Sequence, residues 1–231
     1  MGKIGKQNRW QVLLSYLWEI QLESSSSPYN PELTVFMKNG RYMLCTEQAI
    51  YSYDDLYTNF TKTFEQIKIQ ERPIQKVLVL GLGLGSIPFM LEHVFEQRYE
   101  FTLVEIDEEI IYLANKYVLS ALDSKMDILC TDAWAFLEQD QEQYDLICVD
   151  IFQDDEIPEP IMGEQFLQLI APRLSTEGIL LFNQLAFTPK DRETASQYFT
   201  STFQPFFPDA SYLDVRSNYM FMNKAWHKSD S

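Results

Sequence analysis

Apolar and polar positions change rhythm twice along the chain. Residues 13–22 are apolar and aromatic enough for a strand, and 33–45 hold two β-prone runs around Asn39-Gly40, a favoured pair for a tight hairpin. Between them, Ser24 to Ser27 followed by Pro28, Asn30 and Pro31 read as a loop. From 54 to about 69 the period becomes helical, with Leu56, Phe60, Phe64 and Ile67 on one face. Residues 1–70 are therefore expected to form a small β-rich N-terminal domain plus a linking helix. At Lys76 the rhythm shifts again, because KVLVLG is continuously apolar, as in a parallel strand covered on both faces. Helices are predicted over 86–97, 107–120 and 163–171, with a shorter one from Asp132. They alternate with strands over 101–105, 126–130, 144–150 and 178–183. That alternation predicts an α/β domain over 71–231 built on a doubly wound parallel sheet. After a helix over 192–203, the runs 210–215 and 219–222 lie too close for a crossover, so they are expected to pair antiparallel.

Composition narrows the function classes. The 231 residues carry 18 Lys and Arg against 34 Asp and Glu, a net charge of −16. Such a balance argues against binding to nucleic acid, which needs clustered cations. With 46% hydrophobic and 14% aromatic residues the chain can bury a full core, which excludes wholesale disorder. No apolar run is long enough to span a membrane. The opening MGKIGKQNRW lacks a signal-peptide core, so a cytoplasmic protein without membrane association is expected. Cys45, Cys130 and Cys148 have neither metal-ligand nor disulfide spacing, and His93 and His227 are the two histidines, so no metal site is expected.

The strongest motif is Gly81-Leu82-Gly83-Leu84-Gly85-Ser86, between a predicted strand and its helix. Glycines there permit positive φ and let a ligand approach the backbone; a plain tight turn is the competing reading. Ser86 replaces the third glycine of the dinucleotide pattern, which tilts the ligand away from NAD. Glu105 ends the next strand, where an acid can accept both ribose hydroxyls of a nucleoside. Asp107 reads as a helix N-cap. Asp132, followed by Ala133, suits either an N-cap or an acceptor for the exocyclic amine of adenine. Asp150 closes another strand and leads into Asp154, Asp155 and Glu156. Residues 126–172 hold twelve acids and no Lys, Arg or His, which makes either a negative cleft or a solvated outer face.

Taken with QAIYSYDDLY (48–57), VEID (104–107), TDA (131–133) and YDLICVD (144–150), residues 33–222 resemble the spermidine synthase-like family of class I S-adenosylmethionine-dependent methyltransferase-type folds. The resemblance implies a Rossmann-like sheet and a site for S-adenosylmethionine or a related thionucleoside. In that reading Gly81, Gly83 and Gly85 hold the sulfonium side, Glu105 the ribose, and Asp132 with Ala133 the adenine. Asp150 lies beside them, and Gln48 and Tyr57 serve the acceptor. Departures accompany the matches. Aminopropyltransferases of the family carry an Asp where this chain has Leu84, a Tyr-His-Glu triplet where it has Tyr57-Thr58-Asn59, and a catalytic acid where it has Gln153.

The main expectation is therefore methyl transfer to a small-molecule acceptor, with amines among the options and Asp150, Asp154 and Asp155 as candidate catalytic acids. The alternatives are aminopropyl transfer (polyamine synthesis) using a displaced acid, or a non-catalytic nucleoside-binding or assembly protein. Leu84 is expected beside the ligand's amine end, where it would favour S-adenosylmethionine over its decarboxylated form. The β-rich start would suit a homodimer interface.

Overall fold

The computed structural model describes residues 9–46, 50–52, 57–153 and 156–226. Its N-terminal part is a short helix α1 (Arg9–Leu14) and a four-stranded antiparallel sheet, β1 (Ile20–Ser25), β2 (Leu33–Lys38), β3 (Arg41–Cys45) and β4 (Ile50–Ser52), in sequential order. Asn39 and Gly40 form the β2–β3 turn with φ of 52° and 74°, and Lys38 pairs with Arg41 across it. Two adjacent left-handed residues give the backbone twist that a two-residue hairpin needs.

The strand expected over 13–22 is instead a helix followed by a later strand, and Ser24 and Ser25 belong to β1 rather than to a loop. The signal was present. Trp10, Leu13, Leu14, Leu17 and Trp18 follow the i, i+3, i+4, i+7, i+8 spacing of a helical stripe. In the structure these side chains are exposed, so the stripe reflects a local period rather than a buried face.

Helix α2 (Thr58–Gln66) places Phe60 and Phe64, with Ile67 just beyond its end, in the core of the large sheet. Each such burial contributes roughly 1.5–3 kcal/mol relative to an exposed side chain. Leu56 of the same predicted face lies outside the described residues.

The large sheet has seven strands. They are β5 (Lys76–Leu80), β6 (Glu100–Glu105), β7 (Lys125–Cys130), β8 (Tyr144–Val149), β9 (Leu174–Leu185), β10 (Ser211–Asp214) and β11 (Asn218–Met222), in the order β10-β11-β9-β8-β5-β6-β7. Strands β5 to β9 are parallel, while β11 runs antiparallel to both β9 and β10. The reversed final hairpin expected from the short spacing is present. Along β5, Val77 and Val79 enter one core cluster while Leu78 and Leu80 enter the other, as a strand covered on both faces requires. Helices α3 (Ser86–Phe89, extended by a π turn), α4 (Glu108–Tyr117), α5 (Ala133–Gln139), α6 (Glu164–Ile170), α7 (Pro189–Tyr198) and α8 (Gln204–Phe206) complete the fold. Among the described residues, no helix is long and apolar enough to cross a membrane.

The small sheet packs on α4. Leu33, Val35, Met37 and Leu44 join Ile110, Leu113 and Val118 in one cluster, and Leu84 of the glycine turn is fully buried among them. The expectation that Leu84 faces a ligand is therefore overturned. Residues of the turn alternate, with Gly81 and Gly83 toward the sheet crevice and Leu84 toward the small sheet. A second tie is polar: Asp107 caps α4 by accepting from the Glu109 N–H at 3.0 Å, while its other oxygen accepts from Ser27 Oγ and Asn30 Nδ2 at 2.5 and 2.7 Å. Truncating Leu84 should thus cost folding stability. Leu84→Ala is expected to lose about 2–5 kcal/mol by urea denaturation, the range for a leucine removed from a well-packed core.

Candidate active site

The strand order reverses beside β5, whose neighbours β6 and β8 feed connections to opposite faces of the sheet. A crevice is expected at the carboxyl ends of strands there. The structure has a cavity of about 1040 Å³ at that place, lined from the ends of β5, β6, β7 and β8, from Tyr57 to Asn59, and from the β10–β11 turn. This volume is at the upper limit for small-molecule sites, enough for more than one reactant.

Gly81 opens the glycine turn with φ of 90°, and an added Cβ would lie 2.2 Å from the carbonyl oxygen of Asp150. No side chain fits there. The ends of β5 and β8 meet because the Asp150 N–H donates to Leu80 O at 2.8 Å. Gly81 and Gly83 line the cavity, whereas Gly85, with φ of 86°, stands at the start of α3 outside its lining.

Glu105 lines the cavity from the end of β6. One oxygen accepts from the Leu82 N–H at 3.0 Å, and the other accepts from the Ile106 and Asp107 N–H groups at 2.9 and 3.1 Å. Burial lifts its carboxyl above the usual range, and those three donors oppose the rise. The carboxylate thus stitches the glycine turn to the end of β6 while facing the cavity.

Asp132 caps α5, accepting from the Ala135 N–H at 3.0 Å, and it lines the cavity beside Ala133. Trp134, which no sequence motif singles out, lines the same wall.

Asp150 stands at the end of β8, partly open to the cavity. Tyr57 Oη and Asn183 Nδ2 both donate to its Oδ1, at 3.1 and 2.8 Å. Burial pushes its carboxyl up to about 7; the two donors hold it down, and the charge of Glu105 adds to the rise. Burial also keeps the Tyr57 phenol well above its ordinary range, so it remains a donor. Asn183 was missed from sequence, although a buried Asn183-Gln184 pair interrupts the apolar run of β9 and was a readable signal. Gln153 lines the cavity, and it forms an antiparallel bridge with Glu156. Gln48, Asp154 and Asp155 lie outside the described residues. Of the twelve acids over 126–172, Asp132 and Asp150 are the described ones that line the cavity. Others bind outward; Glu142 pairs with Lys76, and Asp145 accepts from the Gln75 and Lys76 N–H groups.

The spermine/spermidine synthase domain family matches residues 59–217, well over half of the chain. The chain belongs to that family. It is 28% identical to a polyamine aminopropyltransferase of Vibrio vulnificus (strain CMCP6) over 136 residues, 58% of this chain and 45% of that one. A probable polyamine aminopropyl transferase of Bifidobacterium longum (strain NCC 2705) is 32% identical over 108 residues, 46% of this chain and 23% of its own length. The chain thus spans less than half the length of these curated relatives. Among solved structures, a spermidine synthase from Thermotoga maritima superposes with a TM-score of 0.67 at 15% identity, covering 87% of this chain and 71% of that one. Human methyltransferase-like protein 13 in complex with SAH gives 0.55 at 20% identity, over 72% and 78% of the two chains. Both show shared fold. Methyl transfer is the main expectation from sequence, whereas the curated relatives are named for aminopropyl transfer.

The raised carboxyl of Asp150 has a consequence for stability. Between its ordinary value near 3.8 and about 7, the folded chain holds a proton that the unfolded chain releases. This group's contribution therefore declines as pH rises through that window and is level above it. Asp150→Asn keeps an acceptor for both donors and abolishes the decline. The variant's gain in Tm over the parent protein is expected to be larger at pH 8 than at pH 5.5, at about 2–4 °C per kcal/mol by calorimetry.

Proposed function

We propose that the chain binds an adenosyl sulfonium nucleoside and transfers an alkyl group, aminopropyl in the first instance, from its sulfur to a small amine. The observation that carries this reading is Asp150: a carboxyl raised toward neutrality, held by Tyr57 and Asn183, facing a cavity that Gly81 and Gly83 also line. The names of the relatives support the class of reaction.

The residues fit such a nucleoside. Gly81 and Gly83 put bare backbone on the cavity wall, Glu105 has its carboxylate fixed by three N–H groups, and Asp132, Ala133 and Trp134 form a wall suited to an adenine. When bound, the sulfonium supplies an activated carbon: a nitrogen–carbon bond forms as the carbon–sulfur bond breaks, and sulfur keeps the electron pair. Asp150 orients the amine and takes the proton that nitrogen gives up. Its carboxyl, raised to about 7, is a stronger base than an ordinary carboxylate. Tyr57 and Asn183 fix its orientation through Oδ1. Gln153 brings no charge where aminopropyltransferases of the family carry their catalytic acid, so the role passes to the strand-end Asp150, with Asp154 and Asp155 as further candidates. Departures at Thr58, Asn59 and Gln153 leave this end of the cavity less acidic than in polyamine synthases of the family.

Two measurements test this reading. Glu105→Ala should weaken methylthioadenosine binding by about 1.5–3 kcal/mol in calorimetric titration, the worth of hydrogen bonds to a charged group. Equal affinity in both proteins would remove the nucleoside from the site. Glu105→Gln is not a mild substitute, because its amide sets an N–H group against a backbone N–H. In the pH profile of kcat/KM, activity should fall as pH drops through about 7, where Asp150 protonates. Tyr57→Phe removes a donor that favours the charged form, so the acid limb should move to higher pH. A limb that stays fixed in this variant means that another group is the base.

A further inference from the structure

Sheet order separates the two ends of the cavity. Glu105, Asp132 and Trp134 belong to the β6–β7 side, while the β9–β11 side contributes Leu185 and the turn between β10 and β11. That turn holds Arg216, the only Lys, Arg or His among the described residues that line the cavity. Its backbone is left-handed, with φ of 73°, a conformation uncommon for residues other than Gly, Asn and Asp. The turn is over-determined. The Val215 N–H donates to Asn218 O at 2.9 Å, the Ala186 N–H to Ser217 O at 2.7 Å, and the Arg192 guanidinium to Arg216 O at 3.1 Å. Asp214, the nearest acid along the chain, is paired with Arg192 instead, at 3.2 Å. Among the described residues, no salt bridge engages Arg216.

Among the described residues, the charges at the acceptor end form a small set; Asp154 and Asp155, beside Gln153, lie outside them. Asp150 is the described acid and Arg216 the cation, while Tyr57, Thr58, Asn59 and Gln153 are neutral. A diamine placing one ammonium on Asp150 would carry its second toward a like charge or an amide wall. A guanidinium instead matches a carboxylate through two parallel N–H bonds. We infer that the acceptor is a zwitterionic amine, with its ammonium on Asp150 and a carboxylate received by Arg216, rather than a polyamine dication. This inference rests on the proposed transfer reaction and names its substrate class.

The test compares 4-aminobutyrate and 5-aminovalerate with putrescine and cadaverine by calorimetry, with and without methylthioadenosine, and then as acceptors with decarboxylated S-adenosylmethionine. The parent protein should prefer the amino acids by about 10–100-fold, the equivalent of a charge-assisted hydrogen-bond pair. Arg216→Asn removes the charge but suits the left-handed turn, so it should abolish that preference while leaving Tm and methylthioadenosine affinity unchanged. Arg216→Lys should keep part of it. A parent protein that prefers the diamines, or an Arg216→Asn variant with unchanged preference, overturns the inference. A separate arm compares S-adenosylmethionine with its decarboxylated form. If Arg216→Asn weakens the first alone and leaves the amines untouched, the carboxylate is the donor's and the inference is wrong. Failure of the proposed function reads differently, as no methylthioadenosine binding, and the amine titrations without nucleoside still judge Arg216.

Discussion

Everything at the site depends on how closely the end of β5 approaches the end of β8. Gly81 occupies a position where a Cβ would overlap the Asp150 carbonyl, and the Asp150 N–H closes the contact on Leu80 O. Because no side chain stands between them, the glycine turn and the Asp150 carboxyl face one crevice at the same level. A larger residue at Gly81 would have to separate the two central strands, whose side chains fill the core on both faces of the sheet.

The two deep carboxylates of the cavity are held in different ways. Glu105 spends both oxygens on backbone N–H groups of two strand ends, which fixes its position and opposes the rise that burial imposes on its carboxyl. Asp150 receives two side-chain donors on a single oxygen and is raised to about 7, which suits a group that exchanges protons. The first is anchored to the backbone; the second is held by side chains alone. The acid-rich segment, which on composition alone suggested a negative cleft, sends most of its described carboxylates elsewhere. Glu142 pairs with a lysine and Asp145 accepts backbone N–H groups on the outside.

The small sheet is joined to the large one through apolar and polar contacts. Leu84 of the glycine turn and the inner face of α4 bury the side chains of β2 and β3, while Asp107 receives Ser27 and Asn30 across the seam. Tyr29 and Asn30 line the cavity, so the loop between β1 and β2 supplies part of its wall. The helix cap and the seam share one carboxylate. A change in that loop is therefore felt at the start of α4 and at the rim of the site together.

Periodicity determined most of the secondary structure, because each element answers to its own neighbours. The apolar run at Lys76, the Asn39-Gly40 turn and the closely spaced final strands each have one good local solution, and the structure adopts all three. The same locality made Glu105, Asp132 and Asp150 legible, since they sit where strands end. What pairs across the fold was not legible. That Leu84 turns inward follows from the small sheet seated on α4, and that Asn183 and Tyr57 converge on Asp150 follows from residues far apart in the chain. A lone Arg in a hairpin turn carries no signal until the sheet order brings Arg216 to the cavity. Sequence spacing encodes contacts along one helix or strand, whereas side-chain contacts between elements exist only once the chain has packed.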